Sequence, residues 1–244
     1  MIRVWLNVKN TGSAVLDENS NSANDNIILR DIHYLATNLI KIYTESGISL
    51  ITRKNYLQDF SDNPELLLNR KLSDREFDIV ASAVNQYIIE CSAVTYLNRA
   101  EHSVYQLQNK LIKKGFKKRD IEPVIDLLRN LGYIDDKRFA DAWLRNRANA
   151  TTEGYARLYA ELKKRGISKA HSIEALKSFF AEHDEKQLCL RATRKQLKKM
   201  CVRSKIIQSL QRKGFSYAMA ETCLKECGFY KNSIQTLEER YINE

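Results

Sequence analysis

The stretch LQNKLIKKGF, residues 107–116, decides the fold because the chain repeats it. It returns as LYAELKKRGI at 158–167 and as IIQSLQRKGF at 206–215. The glycines Gly115, Gly166 and Gly214 stand 51 and 48 residues apart. Eight residues before each lies an apolar side chain (Leu107, Leu158, Ile206), and four before it another (Leu111, Leu162, Leu210). Two cations precede each glycine, Lys113–Lys114, Lys164–Arg165 and Arg212–Lys213, and one apolar residue follows. This is the pattern of a helix that stops at glycine. Glycine takes the left-handed conformation past the helix end without a Cβ penalty, and the next apolar residue folds back onto the last turn. Three copies at near-constant spacing make an internal repeat.

Aligned on the glycine, the positions nine, ten and thirteen residues later are Val124, Ile125, Leu128, then Ala175, Leu176, Phe179, then Cys223, Leu224, Cys227. These offsets share one helical face, and all nine residues are apolar or Cys. The positions 26 and 22 before it are Ile89 and Ala93, Ala140 and Leu144, Leu188 and Ala192. Each unit therefore reads as three helices around a shared core. The expected fold is mainly α, tandem three-helix repeats in three units forming an elongated curved array, with a small α+β N-terminal domain. The boundaries read as 1–76 for the N-terminal domain or arm, then 77–133, 134–182 and 183–244, the last carrying an extra C-terminal helix over 230–241.

Within the units the start signals are local. Ser73 with Glu76, and Ser103 with Gln106, have the form of capping boxes. Asp135 and Asp136 read as acidic caps, and Pro123 is expected in the first turn of its helix, where a missing N–H is harmless. Helices are also expected to start near Ser168, Asp184 and Ser216. In the N-terminal part, residues 2–8 alternate like a strand, 11–26 read as a loop, and 39–43 with 48–52 form a hairpin about Glu45-Ser46-Gly47.

The 244 residues carry a net charge of +10. Residues 1–90 hold 9 Lys and Arg against 12 Asp and Glu, and residues 91–244 hold 31 against 18. The repeat half is thus strongly basic, and a polyanionic partner is expected. Cations cluster at Lys113, Lys114, Lys117, Lys118 and Arg119, at Arg145 and Arg147, and at Lys163, Lys164 and Arg165. They continue through Arg191, Arg194, Lys195, Lys198, Lys199, Arg203, Lys205, Arg212 and Lys213. Cations in a last helical turn also complement the helix dipole. Dipole complementation alone does not explain a ladder of cations at matched places in three units. A continuous phosphate-tracking face, without base readout, is the expectation.

Enzyme signatures are absent from the sequence: no Walker-type loop, GxGxxG, HExxH or GxSxG is present. His33, His102, His171 and His183 fall in no metal or triad spacing. The five cysteines (Cys91, Cys189, Cys201, Cys223, Cys227) form no CxxC pair. Cys223 and Cys227, one turn apart, read as small core residues rather than metal ligands. The odd count and the lack of a secretory signal point to a reducing cytosol, and no apolar run approaches a membrane span. The reading is a cytoplasmic binding protein without metal or cofactor.

One ordered set of motifs resembles the RecX regulators of the RecA recombinase. It comprises Tyr96-Leu97-Asn98-Arg99-Ala100-Glu101-His102-Ser103, the stretch 107–115, and Leu131-Gly132-Tyr133-Ile134-Asp135-Asp136-Lys137-Arg138-Phe139-Ala140. Gly154-Tyr155, Glu161-Leu162 and Gly166-Ile167 complete it. The resemblance covers residues 90–228, with Arg99, Glu101, His102, Asp135, Asp136 and Phe139 as motif residues. It implies a protein, expected as a monomer, that lodges in the groove of the RecA–single-stranded DNA filament. There it would hinder filament growth or promote its loss, and so damp ATP hydrolysis, strand exchange and SOS co-protease activity. A stand-alone nucleic-acid-binding repeat protein and a protein–protein scaffold are the competing readings.

Overall fold

The computed structural model describes residues 27–36, 38–199 and 202–229, with Asn149 described by its backbone alone. The strand expected at 2–8, the loop at 11–26, the tail helix at 230–241 and Cys201 lie outside the described residues. The chain divides into two compact units, Met1–Val84 and Asn85–Glu244.

In the first unit, β1 (Leu29–Ala36), β2 (Leu39–Thr44) and β3 (Ser49–Arg53) form an antiparallel sheet in the order β1-β2-β3. The β2–β3 hairpin is the one expected, closed by Thr44 N–H to Ile48 O at 2.9 Å. Strand β1 was not anticipated. Only Leu29 and Ile32 are buried along it, and its pairing is irregular near Asp31 and Ala36, so no period of two shows in its sequence. The inner face buries Leu29, Ile40 and Ile42 with Leu57 and Leu67 from two short 3₁₀ segments, Lys54–Phe60 and Pro64–Leu67. Helix α1 (Asp74–Leu97) starts at the expected capping box. Ser73 N–H donates to Glu76 Oε2 at 2.8 Å, and Glu76 N–H donates to Ser73 Oγ at 3.3 Å. The buried Thr52 hydroxyl donates to Ala83 O at 2.7 Å and ties β3 to this helix.

The part of α1 after Val84 opens the second unit. It continues with α2 (Val104–Lys113), α3 (Lys118–Asn130), α4 (Asp136–Ala150), α5 (Tyr155–Lys164) and α6 (Lys169–Glu182). Helices α7 (Glu185–Leu197), α8 (Arg203–Arg212) and α9 (Tyr217–Glu226) follow. The fold is mainly helical, three tandem three-helix repeats preceded by the small sheet. The aligned positions are its core. Val124, Ile125, Leu128, Ala175, Leu176, Phe179, Cys223 and Leu224 are buried and Cys227 is half-buried. Ile89, Ala93, Ala140, Leu144, Leu188 and Ala192 are buried opposite them. Repeats two and three share one continuous cluster from Phe139 to Leu224. Of the other cysteines, Cys189 is buried and Cys91 is exposed. Burial pushes the Cys189 thiol up to about 12, so it is inert at neutral pH.

The glycine device is present at all three sites. Gly115, Gly166 and Gly214 have φ of +99°, +81° and +92°. Phe116, Ile167 and Phe215 each donate a backbone N–H to the carbonyl five residues earlier, Leu111, Leu162 and Leu210. Ser103, Ser168 and Ser216 cap α2, α6 and α9 through side-chain oxygens. Pro123 departs from expectation: α3 begins at Lys118, so the proline lies inside the helix rather than in its first turn. Its missing N–H leaves the Arg119 carbonyl without the usual partner four residues on. Among the described residues no helix is long and apolar enough to cross a membrane.

Candidate nucleic-acid interface

The motif around His102 builds the joint between repeats one and two. Ser103 Oγ accepts from Gln106 N–H at 3.2 Å and donates to Arg165 O at 2.6 Å, joining the start of α2 to the end of α5. The Val104 N–H, an orphan donor of the first turn of α2, donates to Asp136 Oδ1 at 2.9 Å. Tyr105 lies against Gly166, where an added Cβ would come within 2.2 Å of the tyrosine Cβ. One repeat later the scheme recurs with other residues. Gly154 N–H donates to Lys213 O at 2.9 Å, and Tyr155 N–H to Glu185 Oε1 at 2.8 Å. A Cβ on Gly214 would meet Arg157 N at 2.3 Å.

Asp135 caps α4, accepting from Lys137 N–H at 2.8 Å and Arg138 N–H at 3.1 Å. The Arg138 backbone donor, then that of Lys137, hold its carboxyl below the usual value against the cost of burial. Asp136, read from sequence as a second cap, instead serves the neighbouring repeat. Glu101 pairs with Arg138 at 2.8 Å, and that guanidinium also donates to Gly132 O and Tyr133 O at 3.0 Å. The buried His102 donates from Nδ1 to Ala100 O at 2.7 Å, which leaves Nε2 to accept from Lys110 Nζ at 2.6 Å. Asp136 and the Glu101–Arg138 pair therefore tie repeat one to repeat two, while His102 and Asp135 order the turn and the helix start beside that joint. Arg99 is exposed and has no ion-pair partner among the described residues.

The predicted cations sort into two groups. Arg147 pairs with Glu153 at 2.7 Å, Arg165 with Glu161 at 2.6 Å, and Arg203 with Glu221. The Arg165 hydrogen bond holds the Glu161 carboxyl below its usual range. Lys118 lies 3.7 Å from Glu122, Arg119 lies 3.4 Å from Asp120, and Lys114 donates to Ser92 Oγ at 2.9 Å. The rest have no ion-pair partner among the described residues. These are Lys113, Lys117, Arg145, Lys163, Lys164, Arg191, Arg194, Lys195, Lys198, Lys199, Lys205, Arg212 and Lys213; all are exposed except the half-buried Lys213. The paired cations carry repeat geometry. The unpaired ones leave the field of the basic half uncompensated.

Five of the predicted site residues, Glu101, His102, Lys113, Phe139 and Arg165, line one open cleft of about 460 Å³ between α2 and α4. Gln106, Asn109, Lys110 and Trp143, which the sequence reading did not assign to a site, complete it. The Arg165 guanidinium lies 4.5 Å from the Trp143 ring centroid and that of Arg147 lies 5.7 Å from it. The spacing carried a signal, since Trp143 follows Phe139 by one helical turn and Lys110 precedes Lys113 by about one.

Relatives of known name fit this scaffold. Regulatory protein RecX of Treponema pallidum (strain Nichols) is 41% identical over 152 residues, 62% of this chain and 93% of that protein. The chain belongs to the RecX family. RecX's first three-helix domain matches residues 92–128 and its second matches residues 135–176. Regulatory protein RecX of Pelodictyon phaeoclathratiforme is 32% identical over 139 residues, 54% of this chain and 84% of that one. The crystal structure of a regulatory protein RecX aligns with a TM-score of 0.65 at 21% identity, covering 82% of this chain and 99% of that chain. RecX from Lactobacillus salivarius aligns at 0.51 and 23% identity, covering 59% of this chain and 97% of that chain. Those two structures share the fold. Membership makes this chain a regulatory protein of the RecX type.

Proposed function

We propose that this protein binds the RecA–single-stranded DNA filament in its groove, in the cytoplasm, and damps filament growth, ATP hydrolysis, strand exchange and SOS co-protease activity. The observation that carries the reading is the set of exposed cations along and at the ends of α2, α5, α7 and α8 that have no ion-pair partner among the described residues. A filament groove offers phosphate and protein together, and a stack of repeats with a basic face suits it without catalysis of its own. Contact with phosphate needs no base readout, so binding is independent of sequence. Arg99, exposed beside the joint and without an ion-pair partner among the described residues, is the motif residue we assign to contact with the recombinase.

RecA ATP hydrolysis on single-stranded DNA, titrated with this protein, tests the proposal. A fall in rate that saturates near one protein per few RecA subunits supports it. An unchanged rate, with binding to naked single strands intact, would mean a stand-alone nucleic-acid-binding protein instead.

A further inference from the structure

The two joints share a backbone plan and differ in their side chains. The positions 51 residues after His102 and Lys110 are Glu153, just before α5, and Glu161 within it. These carboxylates pair with Arg147, Arg157 and Arg165. At the place in α7 that matches Trp143 stands Arg191, so the aromatic wall is missing there. The first joint thus has Trp143, His102 and Lys110 at the positions where the second has Arg191, Glu153 and Glu161.

The donor count of the first cleft points to an anion. Lys113 has no partner among the described residues, and one N–H of Lys110 is used by His102. Gln106 uses its carbonyl oxygen toward Ser103 N–H, which leaves its amide N–H₂ to donate. Asn109 has no side-chain partner among the described residues. The single carboxylate of the lining, Glu101, is already neutralised by Arg138 at 2.8 Å. Beside these donors lie Trp143, Phe139 and the Arg165 guanidinium, which is paired with Glu161 and lies over the indole 4.5 Å from its centroid. A carboxylate or free phosphate would use the cations and leave the aromatic wall idle. An unpaired nucleotide uses both, because bases stack on aromatic rings and on Arg planes while lysines hold the phosphate. The 460 Å³ of the cleft also suits a ligand of that size.

We propose that this cleft seats one unpaired nucleotide of a single strand. Its phosphate lies against Lys110 and Lys113, and its base against the Arg165–Trp143 stack. The inference rests on the DNA-binding part of the proposed function and adds a stacking site to a face otherwise held by charge.

Trp143 reports on the site directly. Trp5 is the other tryptophan, so the full chain carrying Trp5→Phe has a single tryptophan, in the cleft. The probes are an oligothymidine of about 20 nucleotides, longer than one site, an abasic strand of the same length, and a polyglutamate peptide. The expected result is that oligothymidine changes Trp143 emission on binding, and that neither other probe does so at equal occupancy. Asn109→Asp should abolish the change and weaken oligothymidine binding roughly five-fold or more, the loss of one stacked base. Lys113→Glu repeats that test at an exposed residue if Asn109→Asp does not fold by circular dichroism. Binding of oligothymidine with Trp143 emission unmoved overturns the seat alone and leaves the DNA-binding reading standing. An equal response to the abasic strand makes the cleft a phosphate site, and an equal response to polyglutamate a peptide site; either overturns the seat. Variants with unchanged affinity and emission overturn it as well. No binding of oligothymidine at low salt overturns both the seat and the DNA part of the proposed function.

Discussion

The turns at Gly115 and Gly166 have the same backbone and opposite surroundings. Both have positive φ, both receive the same back-bonded N–H pair, and both follow two cations. At Gly166 the site is filled: Tyr105 covers the glycine, Ser103 takes the Arg165 carbonyl, and the Arg165 guanidinium is held by Glu161. At Gly115 no other atom of the described residues lies within 4 Å of an added Cβ, and Lys113 and Lys117 beside it are partnerless among them. One sequence motif therefore serves two purposes. Where another repeat docks on it, it is a joint. Where none of the described residues does, its cations stay exposed.

The sharpest break between the two sites should come from the same substitution at each. Gly166→Ala places a methyl group on Tyr105 as well as straining φ, and should cost about 3 kcal/mol in urea unfolding. Gly115→Ala meets only the strain and should cost about 1 kcal/mol. Equal costs would mean that the joint is looser than 2.2 Å implies. Next in size, Asp136→Ala removes the acceptor of the Val104 N–H and should cost about 1–2 kcal/mol, although Asp136 caps no bond of its own helix. Glu185→Ala should do the same at the second joint, and both should leave single-strand affinity nearly unchanged. Asp135→Ala, a loss of an ordinary cap, should cost about 1 kcal/mol.

The smallest of these effects is acid sensitivity. Asp135 and Glu161 are both held below their usual values in the folded chain. Their stabilisation is complete above the unfolded carboxylate range and is lost as the pH falls through their lowered values. Unfolding midpoints should therefore drop on acidification, and Asp135→Asn with Glu161→Gln should flatten that drop. A variant with the wild-type acid profile would remove these carboxylates from the joint's energetics.

The repeat was legible because a helix stop, a core face and a charge pair each leave a mark at fixed spacing. Gly115, Gly166 and Gly214, the six positions of the first helices and the nine of the third all take the roles that their spacing implied. The hairpin was legible for a similar reason, with two apolar runs about a glycine turn. Strand β1 was not, since a bulged edge strand with two buried residues carries no alternation. The role of Asp136 was hidden, and those of Lys110 and Trp143 were only hinted at by spacing, for a different reason. Each depends on a partner in another repeat or helix, and residues near a helix start look alike whether they cap their own helix or the next one. Charge was visible as a ladder, but its division into paired and unpaired cations needs the carboxylates in three dimensions.

The central claim is that the cations at the open Gly115 turn meet phosphate. It is tested most directly by the salt dependence of single-strand binding with Lys113, Lys114, Lys117 and Lys118 all replaced by Ala. Each phosphate contact adds roughly 0.7 to the slope of log affinity against log salt. Lys113 and Lys117 alone should lower the slope by about 1.4, rising to about 3 if Lys114 and Lys118 leave Ser92 and Glu122 to engage. RecA inhibition should weaken in parallel. A folded quadruple variant that keeps the wild-type slope and full inhibition would contradict the account, and would reduce these lysines to complements of a helix end.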